Sequence, residues 1–323
     1  MAPLIVYVSD QDGSTPHNNN PGWWLHQQGY QVEYIMQNHD TDRKAFLGHP
    51  EELPAVVVES KPGALNRLKA HYGIYRAIKA RRACKPEPDF WYIQTNRVLP
   101  GVLAGTLGLA KERLIYHTQD FLEPGRHPWH EWIERQVARR AGLVATNQSG
   151  RSRFMASHYG LDQVPIAVPT ALVRDYPVPA FNPAKRAELI TPAIRERSGT
   201  REPFLVLHIG MHSPVRCTQE IYEAFSKLPP HFVLVMTGAN EGTKSHKETL
   251  DRARAAGTAD RVVILGRLDF KDLLEVSAAC DLGLLFYVND GVGNYFQCPG
   301  RLTQFVAVGT PILASDHMAL EVV

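Results

Sequence analysis

Short apolar runs alternate with longer amphipathic stretches along this chain, and the alternation predicts strands separated by helices. The runs typical of buried parallel strands are 4–8, 31–36, 56–58, 90–94, 114–117, 142–146, 166–168, 204–209, 232–237, 262–265, 282–287 and 310–315. The stretches predicted as helices are 23–28, 65–85, 100–109, 129–140, 148–159, 184–189, 218–228, 246–256, 273–279 and 301–308. We expect Asn147 or Ser149 to cap the helix at 148–159. This order of elements favours the α/β class with parallel sheets.

One proline-rich, charged stretch, 176–203, interrupts the alternation before it restarts at residue 204. We interpret it as an inter-domain linker between a domain of residues 1–175 and a domain of residues 204–323. At 323 residues the chain is long for a single core, which supports this division. Two Rossmann-like domains of this kind are expected to face each other across a ligand-binding cleft. Since the chain stops at what resembles the start of a helix or loop, we expect the natural protein to continue beyond Val323.

Composition excludes several classes of protein. Hydrophobic residues make up 44% of the chain and charged residues 21%, as in soluble globular proteins. A formal net charge of +2 does not indicate a nucleic-acid-binding protein. The four cysteines form no CxxC pair, which argues against a zinc site and against a disulfide scaffold. The first ten residues lack the basic start of a signal peptide, and we therefore expect a cytoplasmic protein.

The predicted helix Leu65–Lys85 is strongly basic, with three lysines and four arginines. Its apolar residues recur near helical spacing and predict one core-facing side, made of Leu65, Leu68, Tyr72, Tyr75 and Ile78. The basic residues would then form a solvated face. The alternative is that the helix contacts an anionic membrane, at its inner face.

Two stretches carry candidate chemistry. The strand at 114–117 ends in His117-Thr118-Gln119-Asp120, and ligands of open α/β sheets gather at the carboxyl ends of strands. A histidine satisfied by structural hydrogen bonds is the alternative there. The second stretch, Asn289–Asp316, has a polar loop with Gly291 and Gly293, then Pro299 and a predicted helix. Free N–H groups at the start of a helix, together with the helix dipole, favour a phosphate group.

Four segments of the second half resemble, in order and spacing, the nucleotide-sugar domain of retaining GT-B glycosyltransferases, in the large group 1 or family 4-like superfamily. They are GMHSPVRCTQEIYEAF, VLVMTGANEG, VVILGRLDFKDLLEVSAACDLGLLFY and CPGRLTQFVAVGTPILASD. The first half is similar more weakly, through IYHTQDF and RQVARRAGLVATNQSGRSRF. The resemblance implies a divergent member with two Rossmann-like domains. The expected reaction moves a sugar from a nucleotide-diphosphate sugar to an acceptor hydroxyl with retention, without a metal or a further cofactor.

The resemblance also implies roles for individual residues. Arg216 and Arg301 would bind the donor diphosphate, and Gln304 would bind the ribose hydroxyls. His117 or Gln119 would face the reacting sugar, with Asp120 beside it. The other donor-binding positions implied are Gly238, Gly266, Arg267, Leu268, Asp290, Gly291, Gly293, Asn294 and Leu302. The loop around Asp12 and Gly13 would approach the donor phosphates or the acceptor, which is an unidentified glycan, lipid or small molecule.

Three positions depart from the family pattern: Met211 replaces an arginine, Cys217 a glycine and Gln304 a glutamate. Two alternatives therefore stay open. One is a nucleotide-sugar epimerase or hydrolase on the same fold, which would use paired carboxylates and histidines such as His117 and His212. The other is a sugar-nucleotide-binding protein without activity. The tryptophans Trp23, Trp24, Trp129 and Trp132 are expected in the core or in helix packing, with a sugar platform as the alternative.

Overall fold

A computed structural model describes residues 2–9, 21–38, 53–59, 63–95, 97–120, 123–172, 176–210, 213–317 and 320, and only the main chain of Trp23. The chain forms two compact units. The first consists of Met1–Val173 together with Gly291–Cys298. The second consists of Arg174–Asp290 together with Pro299–Val323. Each unit is a parallel sheet with helices, which confirms the predicted fold class.

The first unit contains a seven-stranded sheet in which every neighbouring pair is parallel. Its strands are β1 (Leu4–Ser9), β2 (Gln31–Asn38), β3 (Ala55–Glu59), β4 (Phe90–Gln94), β5 (Leu114–Thr118), β6 (Leu143–Thr146) and β7 (Ile166–Ala167). Its helices are α1 (Pro21–Gln27), α2 (Ala64–Ala83), α3 (Leu99–Thr106), α4 (Pro128–Arg140) and α5 (Ser149–Tyr159). The strand order is β3-β2-β1-β4-β5-β6-β7.

The second unit contains a five-stranded parallel sheet in the order β10-β9-β8-β11-β12. Its strands are β8 (Phe204–His208), β9 (Phe232–Met236), β10 (Val262–Ile264), β11 (Leu282–Leu285) and β12 (Ile312–Ala314). Its helices are α6 (Pro183–Leu189), α7 (Pro192–Ser198), α8 (Thr218–Lys227), α9 (Lys244–Ala255) and α10 (Phe270–Ala279). The chain then forms α11 (Val292–Tyr295) in the first unit before α12 (Gly300–Val308) in the second.

The two faces of the first sheet differ in chemistry. One face carries aliphatic residues and Trp91, which is fully buried in the main hydrophobic cluster. The other face carries tyrosines, with the rings of Tyr34 and Tyr92 centred 5.2 Å and 5.4 Å from that of Tyr7. Alternate residues of a strand point to opposite faces, so β1 supplies both layers from a single continuous apolar run.

Helix α2 buries a different side from the one predicted. Ala70, Ile74 and Ile78 are the buried residues, and they recur every four positions. Leu65, Leu68 and Tyr72 are 61–66% exposed. A helix turns by about 100° per residue, which places these three opposite Ile74. The prediction of one core-facing side through Leu65, Leu68 and Tyr72 was therefore wrong, because α2 has two apolar stripes and only one meets the sheet.

Three further local expectations meet corrections or additions. Gln148 caps α5, its Oε1 accepting from the N–H of Arg151 at 2.7 Å, in place of Asn147 or Ser149. The stretch 176–203 contains α6 and α7, and Leu189, Ile190 and Ile194 pack in the core of the second unit. Trp24, Trp129 and Trp132 are 47–66% exposed, so their placement in the core was wrong.

None of the helices in the described ranges has both the length and the apolar character needed to cross a membrane.

Candidate functional site

The second sheet reverses its direction of growth between β8 and β11. Strands β9 and β10 follow β8 on one side, whereas β11 and β12 lie on the other. In open parallel sheets, ligands bind beyond the carboxyl ends of the strands at such a switch point. Here Gly210 follows β8 and Tyr287 follows β11. The backbone N–H of Val288 donates to the carbonyl of Val215 at 3.0 Å, which joins the two strand ends.

Two arginines meet at this switch point. Arg301, only 8% exposed, donates to the carbonyl of Ile209 at 2.7 Å and to the hydroxyl of Tyr287. Its guanidinium carbon lies 5.0 Å from the centre of the Tyr287 ring. Arg216 lies against Gly210, where an added Cβ would stand 2.0 Å from its Nη1. Gly210 also has a φ of 112°, so both close approach and backbone conformation require glycine there.

In the described ranges, the positive charge of the arginine pair has no carboxylate in salt-bridge contact. Burial, and then the charge of Arg301, lower the pKa of Arg216. Two partly desolvated cations held side by side are an arrangement that an anion stabilises.

Four predicted positions lie at the ends of β9 and β10. The N–H of Gly238 donates to the carbonyl of Gly266 at 3.1 Å. The N–H of Arg267 donates to Oδ1 of Asn240 at 2.6 Å, while the Arg267 side chain is exposed. Leu268 is half-buried beside the core. The N–H groups of Gly238 and Arg267 are thus already bonded within the protein, and a role of these positions on the base stays a prediction.

Helix α12 places Gln304 three residues after Arg301, on the same buried side. Gln304 is 6% exposed and Leu302 is 7% exposed. Asp290, which follows β11, is exposed. Arg216, Arg301 and Gln304 thus belong to one strand-end region of the second unit.

In the first unit, His117 ends β5 and is fully buried. Its Nδ1 lies 2.8 Å from the hydroxyl of Tyr92 on β4. Burial lowers the pKa of His117 to about 4, which keeps the imidazole neutral at neutral pH. Asp120, three residues further along, is exposed. His117 can therefore serve as a neutral hydrogen-bonding group.

Arg151 organises the strand ends around His117. Its fully buried guanidinium donates to the carbonyl of Gln119 and to Oδ1 of Asn147 at 2.8 Å. It also donates to the carbonyl of Gly293 at 3.0 Å and lies 3.4 Å from Oε1 of Gln297. Burial lowers the pKa of Arg151, and the charges of Asp120 and Glu123 are among those that oppose this shift. Protein acceptors thus occupy both terminal nitrogens of this cation, while its buried Nε has no partner among the described residues.

Glu123 also forms hydrogen bonds to the segment 291–298. Its carboxylate accepts from the N–H of Val292 at 3.1 Å and from the N–H of Gly293 at 2.6 Å. An added Cβ on Gly291 would lie 2.5 Å from the Glu123 carboxyl carbon, so a larger residue there would displace this carboxylate. Gly291, Gly293 and Asn294, expected on the donor, therefore belong to the first unit in this structure, and their donor role stays a prediction.

The structure describes two of the three positions that depart from the family pattern, Cys217 and Gln304. Cys217 has a φ of 53°, in the left-handed region that glycine adopts at low cost. Gln304 is buried where a carboxylate was expected. Met211 and His212 lie outside the described residues, as do Asp12 and Gly13. No group of three His, Cys, Asp or Glu side chains in the described ranges is placed to hold a metal ion.

Sequence reasoning missed five residues of these regions: Tyr92, Gln94, Glu123, Arg151 and Tyr287. Gln94 and Tyr287 stand at the ends of predicted strands, a positional signal that could have found them, whereas Tyr92 lies in the middle of one. Glu123 and Arg151 carry no such signal, because their partners lie about 140 to 170 positions away along the chain.

No protein-family model matches the sequence, and no curated protein sequence matches it. Solved structures do match, and they include GT-B glycosyltransferases. The chain therefore has the GT-B fold.

Three of these structures show the range. HepE from Anabaena, solved with UDP and glucose, aligns with a TM-score of 0.70 at 19% identity, over 99% of this chain and 83% of HepE. Sucrose-phosphate synthase from Thermosynechococcus elongatus aligns with a TM-score of 0.73 at 14% identity, over 100% of this chain and 83% of its own. A Listeria monocytogenes protein assigned as a UDP-N-acetylglucosamine 2-epimerase aligns with a TM-score of 0.58 at 12% identity, over 97% of this chain and 79% of the Listeria protein. At these identities the likeness shows the fold, and enzymes of different reactions share it.

Proposed function

We propose that this chain is a glycosyltransferase that moves a sugar from a nucleotide-diphosphate sugar to an acceptor hydroxyl, with retention at the anomeric carbon and without a metal. The observation that carries the proposal is the pair Arg216 and Arg301 at the switch point of the second sheet, with no carboxylate partner among the described residues. The shared fold with HepE, which was solved with UDP and glucose, supports the choice of anion.

In this proposal the second unit binds the nucleotide. Arg216 and Arg301 hold the diphosphate and neutralise the charge that develops as it leaves. Main-chain groups of Gly238 and Gly266 to Leu268 contact the base. Gln304 binds a ribose hydroxyl through a neutral amide. Asp290 and the segment from Gly291 to Asn294 lie nearer the sugar.

The chemical step breaks the bond between the anomeric carbon and the leaving phosphate oxygen. A bond from the acceptor oxygen forms on the same face of the sugar, and the acceptor proton passes to the leaving phosphate. His117, neutral at neutral pH, is proposed to hold the reacting sugar through a hydrogen bond, with Gln119 and Asp120 at the same strand end. Asp12 and Gly13 are proposed to approach the donor phosphates or the acceptor.

The proposal is tested by isothermal titration of the chain with UDP, GDP, ADP and TDP sugars. We expect micromolar to millimolar binding of at least one donor, and loss of about 10- to 100-fold in affinity on Arg216→Ala. Arg254→Ala is the matched control, since Arg254 is 66% exposed in its side chain and paired with Asp251 in the same unit. Absence of binding by every donor at millimolar concentration would overturn the proposal.

Two alternatives are separated by product analysis. An epimerase or hydrolase would alter the donor in the absence of any acceptor, whereas a transferase would need one. The fold shared with the Listeria protein motivates this arm. A binding protein without activity would bind the donor and leave it unchanged under both conditions.

We also propose peripheral contact with an anionic membrane through α2. Leu65, Leu68 and Tyr72 form an exposed apolar stripe beside Arg67, Lys69 and other cations of the same helix. Co-sedimentation with phosphatidylglycerol vesicles tests it. Leu65→Ser with Leu68→Ser should reduce binding several-fold, while the same result with uncharged vesicles would contradict an electrostatic contribution.

A further inference from the structure

The carboxyl ends of β4 and β5 hold buried polar atoms, and the proposed reaction has given no role to those of Gln94. Ile93 pairs with Tyr116 in the parallel register of these strands. One residue further along, Gln94 therefore stands opposite His117. Residues paired in this way on neighbouring strands point their side chains to the same face of the sheet.

The hydrogen bond from Tyr92 to His117 identifies that face. Tyr92 precedes Gln94 by two residues, so both side chains lie on one face. The Tyr92 hydroxyl reaches Nδ1 of His117 at 2.8 Å, which places the imidazole on the same face as well. Gln94 and His117 are thus side-chain neighbours at the end of the sheet.

Three polar atoms of these neighbours are buried without a hydrogen-bond partner in the described part of the chain. They are Oε1 and Nε2 of Gln94 and Nε2 of His117. Gln94 is 3% exposed and His117 is 0% exposed. A buried polar group left unpaired costs about 1–3 kcal/mol, and native proteins keep few of them without a reason. Exposed residues follow three positions later on both strands, at Arg97 and Asp120, so the group lies just below the surface.

The chemistry of the group fits a neutral hydroxyl. The amide of Gln94 has both donors and acceptors, and Nε2 of the neutral imidazole adds one donor or one acceptor according to its tautomer. A hydroxyl group donates and accepts at once. A phosphate would instead require cations or an array of N–H donors, which the arginine pair of the second unit provides.

We propose that Gln94 is a specificity-determining residue that binds a hydroxyl group of a sugar ring beside Nε2 of His117. The proposal rests on the proposed function and names the residue that distinguishes the sugar from the nucleotide. The sugar belongs either to the donor or to the acceptor, since both present the same chemistry.

The experiment compares Gln94→Met with Gln37→Met. Methionine keeps the length of glutamine and removes its hydrogen bonds. Gln37 is the matched control because it is the last residue but one of β2 and is also 3% exposed, with its Oε1 unpartnered among the described residues. It follows Met36, which packs with the tyrosine layer, so Gln37 points to the opposite face.

The donor arm measures the affinity of UDP-glucose, or of whichever nucleotide sugar the wild type binds best, and of the matching nucleoside diphosphate. Gln94→Met should weaken the affinity for the nucleotide sugar about 10-fold or more and change the affinity for the nucleoside diphosphate by less than about twofold. Gln37→Met should change neither. The acceptor arm repeats the comparison with free glucose and maltose in the presence of saturating nucleotide, by saturation-transfer NMR. A loss confined to the second arm assigns the hydroxyl to the acceptor.

Two results would overturn the inference while leaving the proposed function intact. The first is unchanged affinity in both arms of Gln94→Met. The second comes from thermal unfolding without ligand: an unpaired buried amide replaced by an apolar side chain should leave the melting temperature unchanged or raise it. A fall of several degrees would show that the amide has protein partners. If the wild type binds neither nucleotide nor nucleotide sugar, the proposed function itself fails, and the inference with it.

Discussion

Each unit contains a buried arginine site, and the arginines of the two sites differ in what they contact. Arg151 in the first unit donates to carbonyl and amide oxygens of the protein, with Glu123 among the charges near it. Arg216 in the second unit lies beside another cation, Arg301, and neither has a carboxylate partner among the described residues. A cation whose donors are used by the protein stabilises the fold. A pair of cations with no carboxylate partner in the described part of the chain is suited to an anionic ligand.

The strand ends near these arginines differ in the same sense. His117, Tyr92 and Gln94 in the first unit form a neutral, buried group, since burial keeps the His117 imidazole uncharged. The corresponding region of the second unit is positively charged. From this comparison we propose that the chain divides recognition by chemistry, with the charged diphosphate at the second sheet and neutral hydroxyl groups at the first. The following experiments test that division.

The largest expected effect is on stability, from Arg151→Ala. Removing this guanidinium leaves buried acceptors unpaired, and breaking a buried charged network costs about 3–5 kcal/mol. All five tryptophans lie in the first unit, so tryptophan fluorescence during urea unfolding reports on that unit. Arg153→Ala, an exposed position on the same helix, should change the free energy of unfolding by less than about 0.5 kcal/mol. Equal effects of the two variants would contradict a structural role for Arg151.

The next effect concerns pH. Burial lowers the pKa of His117 to about 4, whereas the unfolded value is 6.5. The unfolded chain therefore binds a proton first as the pH falls. The contribution of the neutral His117 to the free energy of unfolding is complete above about pH 6.5 and is lost by about pH 4. The total loss is on the order of 3 kcal/mol. His117→Asn keeps an acceptor for Tyr92 and should flatten the dependence of the urea midpoint on pH across this window. An unchanged slope would show that His117 is accessible to protons in the fold.

Arg216→Ala should produce a smaller change in free energy, and of a different kind. Charge-assisted hydrogen bonds contribute about 1.5–3 kcal/mol, which corresponds to a 10- to 100-fold weaker dissociation constant for the nucleotide. Because Arg216 belongs to the second unit, tryptophan-detected unfolding of the first unit should not change. If Arg216→Ala unfolded at a lower urea concentration and bound the nucleotide normally, Arg216 would have the structural role assigned here to Arg151.

The smallest effect is expected at Cys217. Its φ of 53° is costly for a residue with a Cβ, and Cys217→Gly should stabilise the second unit by up to about 1 kcal/mol. Cys217→Ala retains the Cβ and should bring no such gain. Thermal unfolding followed by circular dichroism measures both. A destabilised glycine variant would mean that the thiol packs well enough to offset its backbone strain.

The sequence predicted much of this arrangement. Each predicted strand is present in the structure, with ends that differ by at most a few residues, because the apolar runs are local signals of buried parallel strands. The positions of Arg216 and Arg301 after strand ends of the second unit also follow from local order. The face of α2 could not be predicted in the same way, because its stripes through Leu65 and Ile74 are both apolar and only the sheet decides which is buried.

By itself the sequence determined the order of the elements, the α/β class and the arginines near the second sheet, since propensity and periodicity act over a few residues. Only the tertiary structure decided which cations the protein uses for itself. Glu123 and Arg151 form hydrogen bonds to the segment 291–298 across more than 140 positions of chain. The N–H groups of Val292 and Gly293, in the loop predicted as an anion site, therefore already donate to the Glu123 carboxylate. The physical reason is that hydrogen-bond partners and burial depend on distance in space, which a local pattern does not encode.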